Sequence, residues 1–230
     1  MKKLREYIRQ VILTEGMKTI DELPEGAVIV IKDFGPGGFS VSYAFRSTTT
    51  GELLSAVRAH GGPWGWVGVR PPSRSNGPCE GALNVANAEA NKGWGPLLYD
   101  VAIERATQIA NGLIPDRGSV SEAAERVWDY YLNNRSDVTA HQLDNLSNHL
   151  TYPPDDPMGR APIDDDNCNQ SVAAHDDMEA VLNTIFSSMG EESENNPKDK
   201  KWVESSLSKR YTKPPTTINN LKSKEKLVME

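Results

Sequence analysis

Cysteine is scarce in this chain of 230 residues, which holds only Cys79 and Cys168. Neither lies in a CxxC or Cys/His pattern, so a thiolate metal site of familiar spacing and a multi-bridge disulfide framework are both excluded. A reducing compartment is the simpler expectation. Apolar runs are short as well. None approaches the roughly 20 residues that span a bilayer, and no charged n-region followed by an apolar h-region marks a signal peptide. Basic excess is also missing: the formal charge of -7 argues against a general nucleic-acid binder, which would carry a basic face. There is no Walker loop and no Gly-x-Ser-x-Gly elbow. His60, His141, His149 and His175 show no metal-ligand spacing, apart from His141 and His149 two turns apart on one expected helix, and Asp164-Asp165-Asp166-Asn167 lacks the Gly and spaced Glu of a calcium loop. No metal is expected. The chain reads as soluble and cytoplasmic, with no membrane partner.

Hydrophobic residues make up 37% and mean hydropathy is -0.55, low for a chain that is core throughout. Some of the length is therefore expected to be solvated tail. Residues 1–15, MKKLREYIRQVILTE, form an amphipathic helix on paper, with Leu4, Tyr7, Ile8, Val11 and Ile12 on one stripe. From Ala27 the pattern turns to strands. Ala27 to Ile31 is β-branched, Phe39 to Phe45 alternates with period two, and Leu53 to Val57 can pair with it across the turn-rich FRSTTTG. Trp66 to Val69 is a further strand candidate inside a Gly-, Pro- and Trp-rich stretch from His60 to Cys79.

A strand of about five residues is expected to end before Asn91. Pro96 to Ala110 predicts a helix, which Asn111-Gly112 closes. Leu113-Ile114 reads as a very short strand. Ser119 with Glu122 makes a capping box for a helix carrying Ala124, Val127, Trp128 and Tyr131 on one stripe. A weaker helix is expected over Ala140 to His149, and a clear one over His175 to Met189. The domain reading is thus a 1–15 helix, a 16–150 core, a 151–190 acidic loop plus helix, and a 191–230 disordered tail. The fold class is α+β (mixed α/β), with a central, largely antiparallel sheet flanked by helices.

The stretch with chemical content is NKGWGPLLYD, Asn91 to Asp100. Its glycines let the backbone turn tightly and approach a ligand without Cβ interference. Pro96 suits a first helical turn, where its missing N–H is not needed. The unpaired amides of a helix start, with the dipole behind them, form an anion site. A plain strand-to-helix packing turn has the same composition, and local pattern leaves both readings open.

The order of elements, a strand, a Gly-x-Gly turn, a helix, a short strand and a capped helix, resembles the Gcn5-related N-acetyltransferase (GNAT) family. Its acetyl-CoA loop reads Gln/Arg-x-x-Gly-x-Gly/Ala. Here Ala90, Asn91, Lys92, Gly93, Trp94 and Gly95 stand at those positions, with Ala90 in place of the Gln or Arg. The resemblance covers roughly Ala27 to Tyr131. It implies a GNAT-like fold, acetyl-CoA as cofactor and transfer of an acetyl group to an amine acceptor. Asn91, Lys92, Gly93, Trp94, Gly95 and Pro96 would hold the CoA pyrophosphate, and Ser121 would touch the cofactor. Tyr130 or Tyr131 would protonate the departing thiolate. Glu80 or Glu89 is the candidate base for the attacking amine.

Residues 1–15 resemble the capsid-targeting peptides of internal head proteins in T-even-like tailed phages. Those peptides are removed by a prohead protease that cuts after a Glu preceded at two positions by Leu or Ile. Leu13-Thr14-Glu15 before Gly16 fits that rule. The resemblance implies a phage-encoded chain made in a bacterial host, virion-associated through capsid or scaffold partners. In that case the domain can be a non-catalytic structural relative of the enzymes.

Overall fold

The computed structural model describes residues 17–58, 61–72, 79–116, 120–143, 168 and 204–230. These residues build a mixed α/β fold with a mostly antiparallel sheet and three α-helices among the described residues. Two compact units are present. The first comprises Met1–Val69, Asn87–Glu104 and Pro215–Glu230, and the second Arg70–Ala86 and Arg105–Pro214.

In the first unit, β1 (Ala27–Asp33) and β2 (Phe39–Arg46) form an antiparallel hairpin running from Ala27 opposite Phe45 to Asp33 opposite Phe39. Strong β propensity favours this pair: Val, Ile, Phe and Tyr fill a pleated surface well. One face buries Ile29, Ile31, Val41 and Tyr43. The other face buries Val28, Val30 and Ala44 against Leu53 and Val228. β3 (Leu53–Ser55) and β4 (Gly65–Arg70) both pair antiparallel with β2. β9 (Leu227–Met229) runs parallel to β1.

β5 (Leu83–Ala90) and α1 (Gly95–Ile109) each begin in one unit and end in the other. Of the expected stripe Leu98, Val101, Ala102 and Ile109, the first three are buried along α1 together with Leu97, whereas Ile109 at the helix end is exposed. Gly112, at φ 107°, ends that helix run, and its amide bonds the carbonyl of Ala106. In the second unit, β6 (Leu113–Ile114) lies parallel to the start of β5, with Leu83 opposite Leu113. β8 (Lys209–Thr212) pairs antiparallel with both β6 and β7 (Thr139–Gln142). α2 (Glu122–Asn134) buries Trp128 and Tyr131, and Trp128 stacks on Tyr211 of β8 at 4.9 Å.

Four expectations need correction. Ala140 to His149 does not begin as a helix, since Thr139–Gln142 is strand β7; its residues 144–149 lie outside the described residues. The expected disordered tail 191–230 is ordered from Glu204: it supplies β8, α3 (Thr216–Ser223) and β9. The cap of α2 is Ser121 rather than Ser119, its Oγ accepting from the Ala124 amide at 3.3 Å. Cys79 and Cys168, expected as reduced thiols, are joined by a disulfide across 89 residues of sequence. The 1–15 helix and the helix over His175 to Met189 lie outside the described residues, as does the 151–190 loop apart from Cys168.

No helix among the described residues is long and apolar enough to cross a membrane.

Candidate functional site

Asn91 to Trp94 close a four-residue turn, with the Trp94 amide donating to the Asn91 carbonyl at 3.0 Å. Gly93 sits third in that turn at φ 85°, a region glycine enters without steric cost. The rest of the turn is tied to the first unit by four more bonds. The Asn91 amide donates to Trp64 O at 2.9 Å, and Asn91 Nδ2 to Gly62 O at 3.0 Å. Trp94 Nε1 donates to Gly61 O at 3.1 Å, and the Lys18 amide donates to Gly93 O at 2.9 Å. The sixth contact is the Tyr43 hydroxyl, which donates to Trp94 O at 2.7 Å. Burial, and then the charge of Asp100, push the Tyr43 phenol well above its ordinary value, so it stays a donor at any physiological pH.

With Trp94 buried as the pin, the backbone beyond it opens α1. The amides of Gly95 and Leu97 precede the first bond of the helical ladder, and Pro96 between them has no N–H. No Asp or Glu occupies the first turn. The positive end of the dipole is therefore not offset by a local carboxylate. Lys92 is exposed beside it. These groups can hold a phosphate or pyrophosphate.

Ala90, the departure from the GNAT loop pattern, has a packing reason. A Cβ built on Gly95 would lie 3.6 Å from the Ala90 Cβ. One built on Gly65 would lie 2.6 Å from it. The end of β5 passes close to two glycine backbones there, and a small side chain fits. Glu89, one candidate base, is half exposed and pairs with Arg58 at 2.9 Å. The same guanidinium lies 4.7 Å above the Trp64 ring. Its carboxylate is thus a rim group already engaged by a cation.

The other candidates belong to the second unit. Glu80 Oε2 accepts from Arg210 Nε at 3.0 Å, and Arg210 is itself nearly buried. Glu80 O also accepts from Asn111 Nδ2 at 2.8 Å. Cys79 and Glu80 both stand at positive φ, 43° and 51°. For residues with a Cβ, such backbone costs on the order of 1 to 3 kcal/mol each, and it persists only where the surroundings over-determine it. Ser121 Oγ is spent on capping α2. Tyr131 is core, packed between Trp128 and Tyr130. Tyr130 is half-buried, with Arg135 6.0 Å over its ring. The structure therefore keeps Asn91 to Pro96 together with Glu89, gives Glu80, Ser121 and Tyr131 structural partners, and leaves Tyr130 at a partly accessible position.

Sequence reasoning missed Tyr43, Lys18 and Arg210. Tyr43 reads as one more inward residue of an alternating strand, and the pairing of Arg210 with Glu80 spans 130 residues. Neither leaves a local signal. No family model, curated protein or solved structure matches the chain.

Proposed function

We propose that the chain is an acyl-CoA-dependent N-acyltransferase of GNAT-like fold, transferring an acetyl group from acetyl-CoA to an amine. The observation that carries this reading is the setting of the Asn91–Pro96 loop. It leaves the C-terminal end of β5 and leads at once into a helix whose first turn offers amides and no carboxylate. Helix N-termini of this kind point their amides and the positive end of the dipole at anions. The antiparallel β1–β2–β4 run before the loop, and the insertion of β8 between β6 and β7 after it, fit the same reading.

In the reaction, an amine attacks the thioester carbonyl, the C–S bond breaks, and the sulfur takes a proton. The loop amides would hold the pyrophosphate.

A second reading, a non-catalytic phage head or virion-associated protein, is favoured by a different observation. Glu80, Ser121 and Tyr131 are each committed to structure, and Glu89 to Arg58. A domain can keep a fold after its chemistry is gone. The capsid contact would run through residues 1–15.

Titration with acetyl-CoA tests the first reading. Binding linkage gives about 2.7 kcal/mol at a hundredfold excess over Kd, a Tm rise of several degrees. Absence of any shift at saturation overturns it. A shift without CoA release in the presence of a panel of amines selects the second reading. In that case, chain recovered from particles should begin at Gly16, and retention of Met1 would count against it.

A further inference from the structure

The turn Cys79-Glu80-Gly81 is held from two sides. All three residues are at positive φ, 43°, 51° and 77°, and two of them carry a Cβ. On one side Cys79 is bonded to Cys168, both fully buried in a cluster with Ala82, Ile114 and Leu143. On the other side Arg210 grips the Glu80 carboxylate, and the guanidinium also donates to the Asn111 carbonyl at 2.7 Å. Asn111 bonds the turn backbone in return, from its side chain to Glu80 O and from its amide to Gly81 O at 3.3 Å.

We propose that the Cys79–Cys168 disulfide is a redox control on the Glu80–Arg210 ion pair. With the bond closed, the covalent tie fixes Cys79 in its unfavourable backbone region, and Glu80, next in the chain, is delivered to Arg210. With the bond open, two thiols need more room than a disulfide, and they sit in a fully buried apolar cluster. Cys79 is no longer compelled to stay left-handed, and relaxation of its φ swings Glu80 away from the guanidinium. The reductant is a dithiol. Its thiolate attacks one protein sulfur, the other leaves as thiolate, and the second reagent sulfur closes on the first. The reagent ends as a cyclic disulfide, and its two protons end on Cys79 and Cys168. Two electrons pass from reagent to protein. The inference concerns the second unit alone and stands independently of the acyltransferase reading.

The full chain, purified without reductant, supplies the test. The probe is dithiothreitol and the readout is the Arg210 Nε–H resonance, which a carboxylate partner protects from solvent exchange. Upon reduction, verified by mass as two free thiols, exchange at Arg210 should accelerate at least tenfold while the remaining dispersed amides persist. Reoxidation should restore it. Cys168→Ser should reproduce the reduced spectrum with no reagent present. Unchanged Arg210 protection in the reduced wild-type chain overturns the proposal. So does collapse of the whole spectrum on reduction, because the bond would then be a general staple. Two thiols that fail to pair under mild oxidant overturn it as well.

Discussion

Tyr43 and Trp94 are joined twice. The phenol hydroxyl donates to the Trp94 carbonyl at 2.7 Å, and the two rings meet edge to face with centroids 5.6 Å apart. In a trans peptide the C=O and the following N–H point opposite ways. Anchoring the Trp94 carbonyl on a buried phenol therefore turns the Gly95 N–H away from it, at the opening of α1.

Tyr43→Phe keeps the ring contact and removes the donor. The carbonyl left behind is largely desolvated, so the loss should be about 1 to 3 kcal/mol. Urea unfolding should show a lower midpoint at unchanged slope. If acetyl-CoA stabilises the parent, its effect on this variant should shrink, since the Gly95 peptide can then rotate. A variant as stable as the parent would show the hydroxyl to be dispensable.

Glu104 predicts a second stability effect. It is fully buried on α1, yet its carboxylate accepts from the amides of Thr217 at 2.8 Å and Ile218 at 2.7 Å. Pro215 gives α3 no side-chain cap, so a residue over a hundred positions away caps it instead. Glu104→Ala leaves two buried amides unsatisfied and opens a cavity, and should cost about 2 to 4 kcal/mol. The first sign should be faster proteolysis near Thr216 to Ser223, and equal protease resistance would refute the capping role.

The fold was legible where apolar residues recur with a clear period. Ala27 to Ile31 reads as a strand because it is a short β-branched run, Phe39 to Phe45 because its residues alternate with period two, and Pro96 to Ala110 as a helix because its stripe and its Gly terminator agree. The C-terminal residues hid because their core positions are few and separated: Leu207, Tyr211, Ile218 and Leu221 lie among lysines, serines and asparagines. Two of the buried polar residues around them bond partners far away in the sequence, Ser206 with Asp129 and Lys213 with Asp137. Thr139–Gln142 hid for a related reason, since four mixed residues carry no period. In the loop, glycine spacing exposed the turn. The commitments of Glu80 and Ser121 depended on Arg210 and on cap geometry, which no spacing encodes.

Asp137 predicts an acid limb. Hydrogen bonds from Arg135, at 2.7 and 2.8 Å, hold its carboxyl down at about 2 against partial burial, with Lys213 adding charge at 3.4 Å. A depressed carboxyl contributes stability that is complete above its unfolded value near 4 and is lost as pH falls from there through the folded value. The full shift would amount to a little over ~2 kcal/mol, but the side chain is 42% exposed and solvent screening reduces it to about 1 kcal/mol. His141 adds a milder limb: burial, then the charge of Arg210, lower it below 6.5, so its contribution is complete above that pH and fades below it. Asp137→Asn should flatten urea stability between about pH 4 and 2, leaving the limb below pH 6.5 in place. Parallel curves for variant and parent would rule the pair out.

Gly65 makes the sharpest steric prediction. It stands at φ 145°, and a Cβ there would lie 2.5 Å from the Glu89 carbonyl oxygen and 2.6 Å from the Ala90 Cα. Both obstacles are backbone, so no rotamer change can relieve the clash, and β5 must move away from β4. Overpacking against backbone costs about 1 to 3 kcal/mol, and the unfavourable φ adds to it. Gly65→Ala should therefore lower Tm by roughly 5 °C or more at 2 to 4 °C per kcal/mol for a chain of this size. Because the displaced residues lead directly into Asn91, the amide shifts of Asn91 to Gly95 should change more than those of β1. Gly35→Ala is the control: it too has positive φ, 103°, but nothing lies within 4 Å of its Cβ. Equal losses in the two variants would mean that conformational strain alone acts at Gly65, and that the close approach of β4 to the end of β5 contributes nothing.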